Sequence, residues 1–222
     1  KCNKIIIIFG HDLHWWSFDT RRSLYDLSNL EIKNQYYYDN IDLLKNLNTK
    51  FFISLYNCHE LDNIISDASY IDKTYILTYG YFKSNFYNNQ NKEPMYDILV
   101  YGSITKYIYP LRNKIYYLLL NNNKYNSYLL DNDTNFTSAI KNKDLSDLIN
   151  NSWITVSTTS LFKYFLRKYL EIAATSSVLL CNSSDEVIRI LGNNYIYIND
   201  NYNNNLIENI ITYYLENKEK LC

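Results

Sequence analysis

Apolar residues fall along this chain in short blocks, and the blocks alternate between two periods. Residues 5–9, Ile-Ile-Ile-Ile-Phe, form an unbroken run closed by Gly10, the pattern of a strand covered on both faces in a parallel sheet. Runs at 51–56 and 74–79 predict two further strands, while 18–27, 41–47 and 60–66 carry apolar positions at helical spacing. Strand and helix taking turns in this way predict parallel βα units.

The pattern lapses at 83–94, a polar stretch without period that reads as a linker. A second series then begins: strand 98–101, helix 111–120, strand 127–130, helix 145–149 and strand 153–156. A helix from Lys163, strand 178–181, helix 185–191 and strand 195–198 complete it. The last helix, 206–215, places Leu206, Ile207, Ile210, Ile211, Tyr214 and Leu215 along one stripe. The expected fold class is therefore α/β, with parallel sheets in two small lobes. The expected domains are 1–83, a linker at 84–95, 96–200, and a segment 201–222 that carries this helix.

Composition narrows the partners. With 222 residues, 47% of them hydrophobic, there is material for a packed core, and no apolar run approaches the roughly 18 residues of a membrane span. A net charge of −1 offers no long-range field for nucleic acid, so none is expected and an anionic ligand must be held by local charge. Cys2, Cys58, Cys181 and Cys222 are scattered, which indicates neither a zinc site nor a disulfide framework and suits a reducing, cytoplasmic compartment. Heavy use of Asn, Ile, Lys and Tyr with only 4 glycines and 2 prolines reflects an AT-rich genome. The chain begins at Lys1 without a charged-then-apolar leader, so no signal peptide is expected, and it is readable as a fragment of a longer protein.

The second series holds the denser chemistry. After strand 98–101 come Gly102 and Ser103, then a helix opened by Pro110 with Arg112 in its first turn. Glycine lets backbone approach a ligand closely, free N–H groups at a helix start favour phosphate, and a guanidinium adds a forked clamp. The alternative is an ordinary βα turn with a surface arginine. Glu171 sits beside the last apolar positions of its helix, where the chain turns under the sheet.

These pieces together carry a resemblance. Val-Tyr-Gly-Ser-Ile at 100–104 leads to Tyr-Pro-Leu-Arg at 109–112, and Leu-Arg-Lys-Tyr-Leu-Glu-Ile-Ala-Ala follows at 166–174. The two strings resemble the donor-binding lobe of GT-B glycosyltransferases, group 1-like members with a KYFEIPA-type signature such as spore-protein-like glycosyltransferases. The match covers 96–200, and 1–83 resembles the acceptor lobe only loosely. The resemblance implies an α/β fold of GT-B type, two Rossmann-like lobes with parallel sheets, the first one reduced, with the helix of 201–222 packing back towards the first lobe. The resemblance implies transfer of a sugar from a nucleoside diphosphate donor to a hydroxyl of a glycan or protein acceptor, in the cleft between the lobes. It implies no metal and no cofactor beyond the donor itself. Glu171 would take the ribose hydroxyls, with Gly102, Ser103 and Arg112 at the diphosphate and Lys168 nearby. The chain departs from the signature at Ala173 and Ser176, where the family has Pro and Gly, and at Lys163, where many members are acidic.

In the first lobe, His11, Asp12, His14, Trp15 and Trp16 leave the first strand together. In an inverting reaction Asp12 or His14 would deprotonate the acceptor, with Trp15 and Trp16 stacking on sugar. The alternatives are a divalent-metal site, or tryptophans capping the core with the histidines facing solvent. Asp131-Asn-Asp133 mimics a metal motif but follows a strand in a polar turn. Two rivals remain: a catalytically inactive sugar-nucleotide or glycan-binding module of the same fold, and a doubly wound interaction domain without a small-molecule role.

Overall fold

The computed structural model describes residues 5–9, 42, 49–54, 73–76, 84–89, 93–131, 140, 142–161, 163–182 and 185–221. The chain divides into two compact units, Lys1–Tyr79 and Gly80–Cys222.

In the first unit the three β-branched or aromatic runs are strands: β1 (Ile5–Phe9), β2 (Thr49–Ser54) and β3 (Lys73–Ile76). They pair in parallel in the order β1-β2-β3, as continuous runs rather than alternating ones predict. The expected helix at 18–27 and the cluster His11, Asp12, His14, Trp15 and Trp16 lie outside the described residues, as does Asp133.

The second unit is a five-stranded parallel sheet. Its strands are β4 (Tyr96–Gly102), β5 (Ser127–Asp131), β6 (Ser152–Val156), β7 (Val178–Cys181) and β8 (Ile196–Tyr197). Their spatial order is β5-β4-β6-β7-β8. The helices are α1 (Pro110–Leu120), α2 (Asn142–Asn150), α3 (Arg167–Ala173), α4 (Asp185–Leu191) and α5 (Asn204–Glu216). Alternation along β4 explains the layers. Ile98 and Val100 share a buried cluster with Leu111, Ile115 and Leu119 of α1 and with Ile207 and Ile211 of α5. Leu99 and Tyr101 point the other way, towards the face on which α2 and α3 pack against β6 and β7.

Two elements differ from the sequence pattern. The helix expected from Lys163 begins at Arg167, because Lys163 takes a left-handed φ of 57° and the chain stays non-helical up to Leu166. Within the expected linker, residues 84–89 are anchored to the second unit: Phe86 is buried, Asn150 Nδ2 donates to the Tyr87 carbonyl at 2.8 Å, and the Tyr87 hydroxyl bonds Asp147. The final helix gives its buried stripe, Ile207 and Ile211, to the core of the second unit. Asn203 caps its start by accepting from the Leu206 N–H at 2.9 Å.

No helix among the described residues is long and apolar enough to cross a membrane.

Candidate functional site

The strand order reverses direction between β4 and β6, and in open parallel sheets the crevice at the carboxyl ends of such a strand pair is where ligands bind. Register fixes what meets there. Val100 pairs with Val156 at the end of the ladder, and beyond it Arg112 bonds the carbonyls of both Ser103 and Thr158. Gly102, Ser103 and Arg112, expected at a diphosphate, and Lys168, expected nearby, converge at this point.

Gly102 has φ 97°, a region side chains avoid, and a Cβ placed on it would fall 1.9 Å from Lys168 Nζ and 3.4 Å from Arg112 Nη1. The glycine is thus required twice, by its backbone angle and by the ammonium lodged over it. Lys168 Nζ also lies 4.5 Å from the centroid of the Tyr101 ring, a cation over an aromatic face. Arg112, only 1% exposed, donates from Nη1 to the Ser103 carbonyl at 3.0 Å and from Nη2 to the Thr158 carbonyl at 2.9 Å. Its guanidinium stacks 4.1 Å from the centroid of Tyr109. The arginine therefore rivets the turn after β4 to the turn after β6 across the reversal point. Ser103 closes its own turn, Oγ sharing a proton with Thr105 Oγ1 at 3.0 Å.

Glu171 is brought to the same side of the sheet, buried at 5% exposure. Its Oε1 accepts from Arg167 Nε at 2.8 Å, an i to i+4 pair on α3. Burial holds the Tyr101 phenol well above its ordinary range, and the negative charge of Glu171 adds to this while Arg112 and Arg167 oppose it. Burial likewise raises Tyr169, whose electrostatic neighbours are Cys181, Arg112, Tyr109 and Asp200. Both phenols stay protonated at neutral pH and flank the arginine.

The residues that sequence reasoning passed over are those after β6. Ser157, Thr158, Thr159 and Ser160 are all buried. The hydroxyls of Ser157, Thr158 and Thr159, and those of Tyr101 and Tyr169, have no hydrogen-bond partner. Buried hydroxyls are nearly always paired, so five orphans around one crevice mark it as unlike the rest of the core. The signal was present in the sequence: a run of small polar residues directly after an apolar strand. Asn182, at the end of β7, accepts from the Thr159 N–H at 2.7 Å and donates to Asp200 at 2.7 Å.

A cavity of about 890 Å³ lies at the opposite, amino end of the sheet, lined among others by Asn88, Trp153, Ser176, Leu179 and Leu191. Ala173 and Ser176, two of the three departures from the signature, border it. Among the described residues no three His, Cys, Asp or Glu side chains gather where they could hold a metal ion.

No family model matches the chain, and no curated protein matches it. Among solved structures it is similar to a pneumococcal O-GlcNAc transferase in complex with UDP and GlcNAc, at 12% identity and a TM-score of 0.45. That alignment covers 84% of this chain, which spans 40% of the other protein's length.

Proposed function

We propose that the second unit binds a nucleoside diphosphate sugar and that the protein transfers the glycosyl group to a hydroxyl of a glycan or protein acceptor, without a catalytic metal. The observation that carries this reading is the Lys168 ammonium seated directly over Gly102 at the reversal point of the sheet, beside a turn held open by Arg112. A point cation over bare backbone is suited to a diphosphate, whose oxygens can reach both the charge and nearby N–H groups. As the bond from the anomeric carbon to the phosphate oxygen breaks, negative charge grows on the leaving diphosphate, and Lys168 stabilises it there. The acceptor oxygen forms the new bond and gives up its proton, for which Asp12 and His14 are the proposed bases in an inverting reaction. Glu171 is proposed for the ribose hydroxyls, acting together with the Arg167 that it already holds. Arg112 shapes the turn through its two carbonyl contacts.

A second reading, a sugar-nucleotide or glycan-binding module without turnover, draws on the same geometry. Arg112 is committed to two carbonyls, Arg167 to Glu171 and Lys168 to the carbonyl and ring of Tyr101, so every cation of the crevice already holds a partner within the fold.

Titration of the protein with uridine and guanosine diphosphates by calorimetry tests the reading. Binding is expected, and Lys168→Ala is expected to weaken it by roughly 1.5–3 kcal/mol, the range for a hydrogen bond to a charged group. Absence of binding to any nucleoside diphosphate would sink the proposal. Release of free sugar from the matching donor then separates enzyme from module.

A further inference from the structure

Lys163 stands out among the residues around the crevice because its backbone is held in the left-handed region, with φ 57°, although it is not glycine or asparagine. Such a conformation persists only where the surroundings over-determine it. Here they do so by a closed circuit. The Lys163 ammonium pairs with Asp200. Asp200 accepts from Asn182 Nδ2 at 2.7 Å, and Asn182 Oδ1 accepts from the Thr159 N–H at 2.7 Å. The circuit closes through the loop itself, where the Lys163 N–H donates to the Ser160 carbonyl at 3.0 Å. Two further bonds pin this loop to the neighbouring one: Leu161 N–H to the Ile108 carbonyl at 2.7 Å, and Arg112 Nη2 to the Thr158 carbonyl at 2.9 Å.

We infer that Lys163 is a positioning residue, whose ion pair with Asp200 latches residues 157–161 in the shape that sets Arg112, and through it the Gly102–Ser103 turn, for an anionic ligand. The inference rests on the nucleotide reading above. Two kinds of linkage make up the latch. Its inner part, Asn182, is 3% exposed and hydrogen-bonded on both sides, which makes it rigid. Its outer part is an ion pair with side chains 52% and 40% exposed, which is weak and screened by salt. The loop is thus set by a firm anchor and released by a soft one, and the strained Lys163 backbone supplies the tendency to spring when the pair opens. The buried hydroxyls of Ser157, Thr158 and Thr159, which have no partners in this arrangement, lie on the segment that such a release would free.

Lys163→Gly separates strain from latch, because glycine accepts the left-handed angle freely while deleting the ammonium. Asp200→Asn removes the pair but keeps the Lys163 backbone, and Lys163→Arg keeps the pair. For Lys163→Gly and Asp200→Asn the expected result is faster amide hydrogen exchange at Leu161 and Lys163 or its replacement. Affinity for uridine diphosphate should fall about three- to fivefold, the most that an exposed pair supplies. The melting temperature of Lys163→Gly should be unchanged or higher, and Lys163→Arg should restore both exchange and affinity. Added salt should move the wild type towards the variants. If the wild type binds the nucleotide and Lys163→Gly binds it equally with unchanged exchange, the latch is wrong and the nucleotide reading stands. If the wild type binds no nucleoside diphosphate, the nucleotide reading and the positioning role fall together, and the exchange rates alone decide whether the pair latches the loop.

Discussion

At the amino ends of β6 and β7, one carboxamide joins three segments: Asn150 donates to the carbonyls of Tyr87 and Ser146 and accepts from Asn89 N–H, Ser176 N–H and Ser176 Oγ. At the carboxyl ends of the same strands the hydroxyls of Ser157, Thr158 and Thr159 are as deeply buried and bond to no other group of the protein. The two ends use the same small polar side chains. One end satisfies them and so rigidifies the fold; the other leaves them unsatisfied next to Lys168, Arg112 and a glycine with positive φ. Unpaired buried hydroxyls are unfavourable by about 1–3 kcal/mol each, so a fold that keeps several in one crevice is less stable there than it need be. Such local inconsistency is characteristic of sites shaped for something other than stability.

The contrast predicts that substitutions at the amino end act on stability and those at the carboxyl end on binding. The largest effect should come from Asn150→Ala, which strands several partners at once and is expected to lower unfolding free energy by about 3 kcal/mol or more. Nucleotide affinity of the folded fraction should not change. Chemical denaturation and calorimetry on one preparation check both halves, and a loss of affinity without a loss of stability would break the contrast. Next in size is Gly102→Ala. It combines an unfavourable backbone angle, about 1–2 kcal/mol for a side chain in a left-handed conformation, with displacement of the Lys168 ammonium from its seat. Affinity should fall at least as far as in Lys168→Ala, while the melting temperature drops by less than in Asn150→Ala.

The smallest effect has the opposite sign. Tyr101→Phe removes an orphan phenol from a residue 2% exposed and should stabilise the fold by about 1 kcal/mol. It should also soften the alkaline limit. Burial raises the folded-state pKa of Tyr101 above its ordinary value of 10.0, so the unfolded chain loses this proton first. The contribution is therefore present in full below the unfolded value and is lost as pH rises above it. Stability measured from neutral pH through that range should fall more gently in Tyr101→Phe than in the wild type; equal slopes would remove Tyr101 from the account.

How much of this was legible beforehand follows from where each feature is encoded. β7 and α4 begin and end where the apolar pattern places them, because 178–181 and 185–191 are bounded by polar residues on both sides. Gly102, Ser103 and Arg112 were singled out because a strand, a turn and a cation carry their chemistry in residue type, and Lys168 because of the family resemblance. The start of α3 was misread because helical spacing continues through Lys163 while a long-range pair with Asp200 holds that residue left-handed. Anchoring of 84–89 was invisible for the same reason: the amide holding Tyr87 lies 63 residues away in sequence. The hydroxyls after β6 could have been flagged from their position at a strand end, but that they lack partners is a property of packing alone.

The outer strand β8 is two residues long, and one of them, Tyr197, is 43% exposed. An edge so short presents almost no row of free N–H and C=O groups on which a foreign strand could nucleate. The sheet thus ends itself on that side, and a chain rich in β-branched runs is protected there from growing into fibrils by the brevity of a single element.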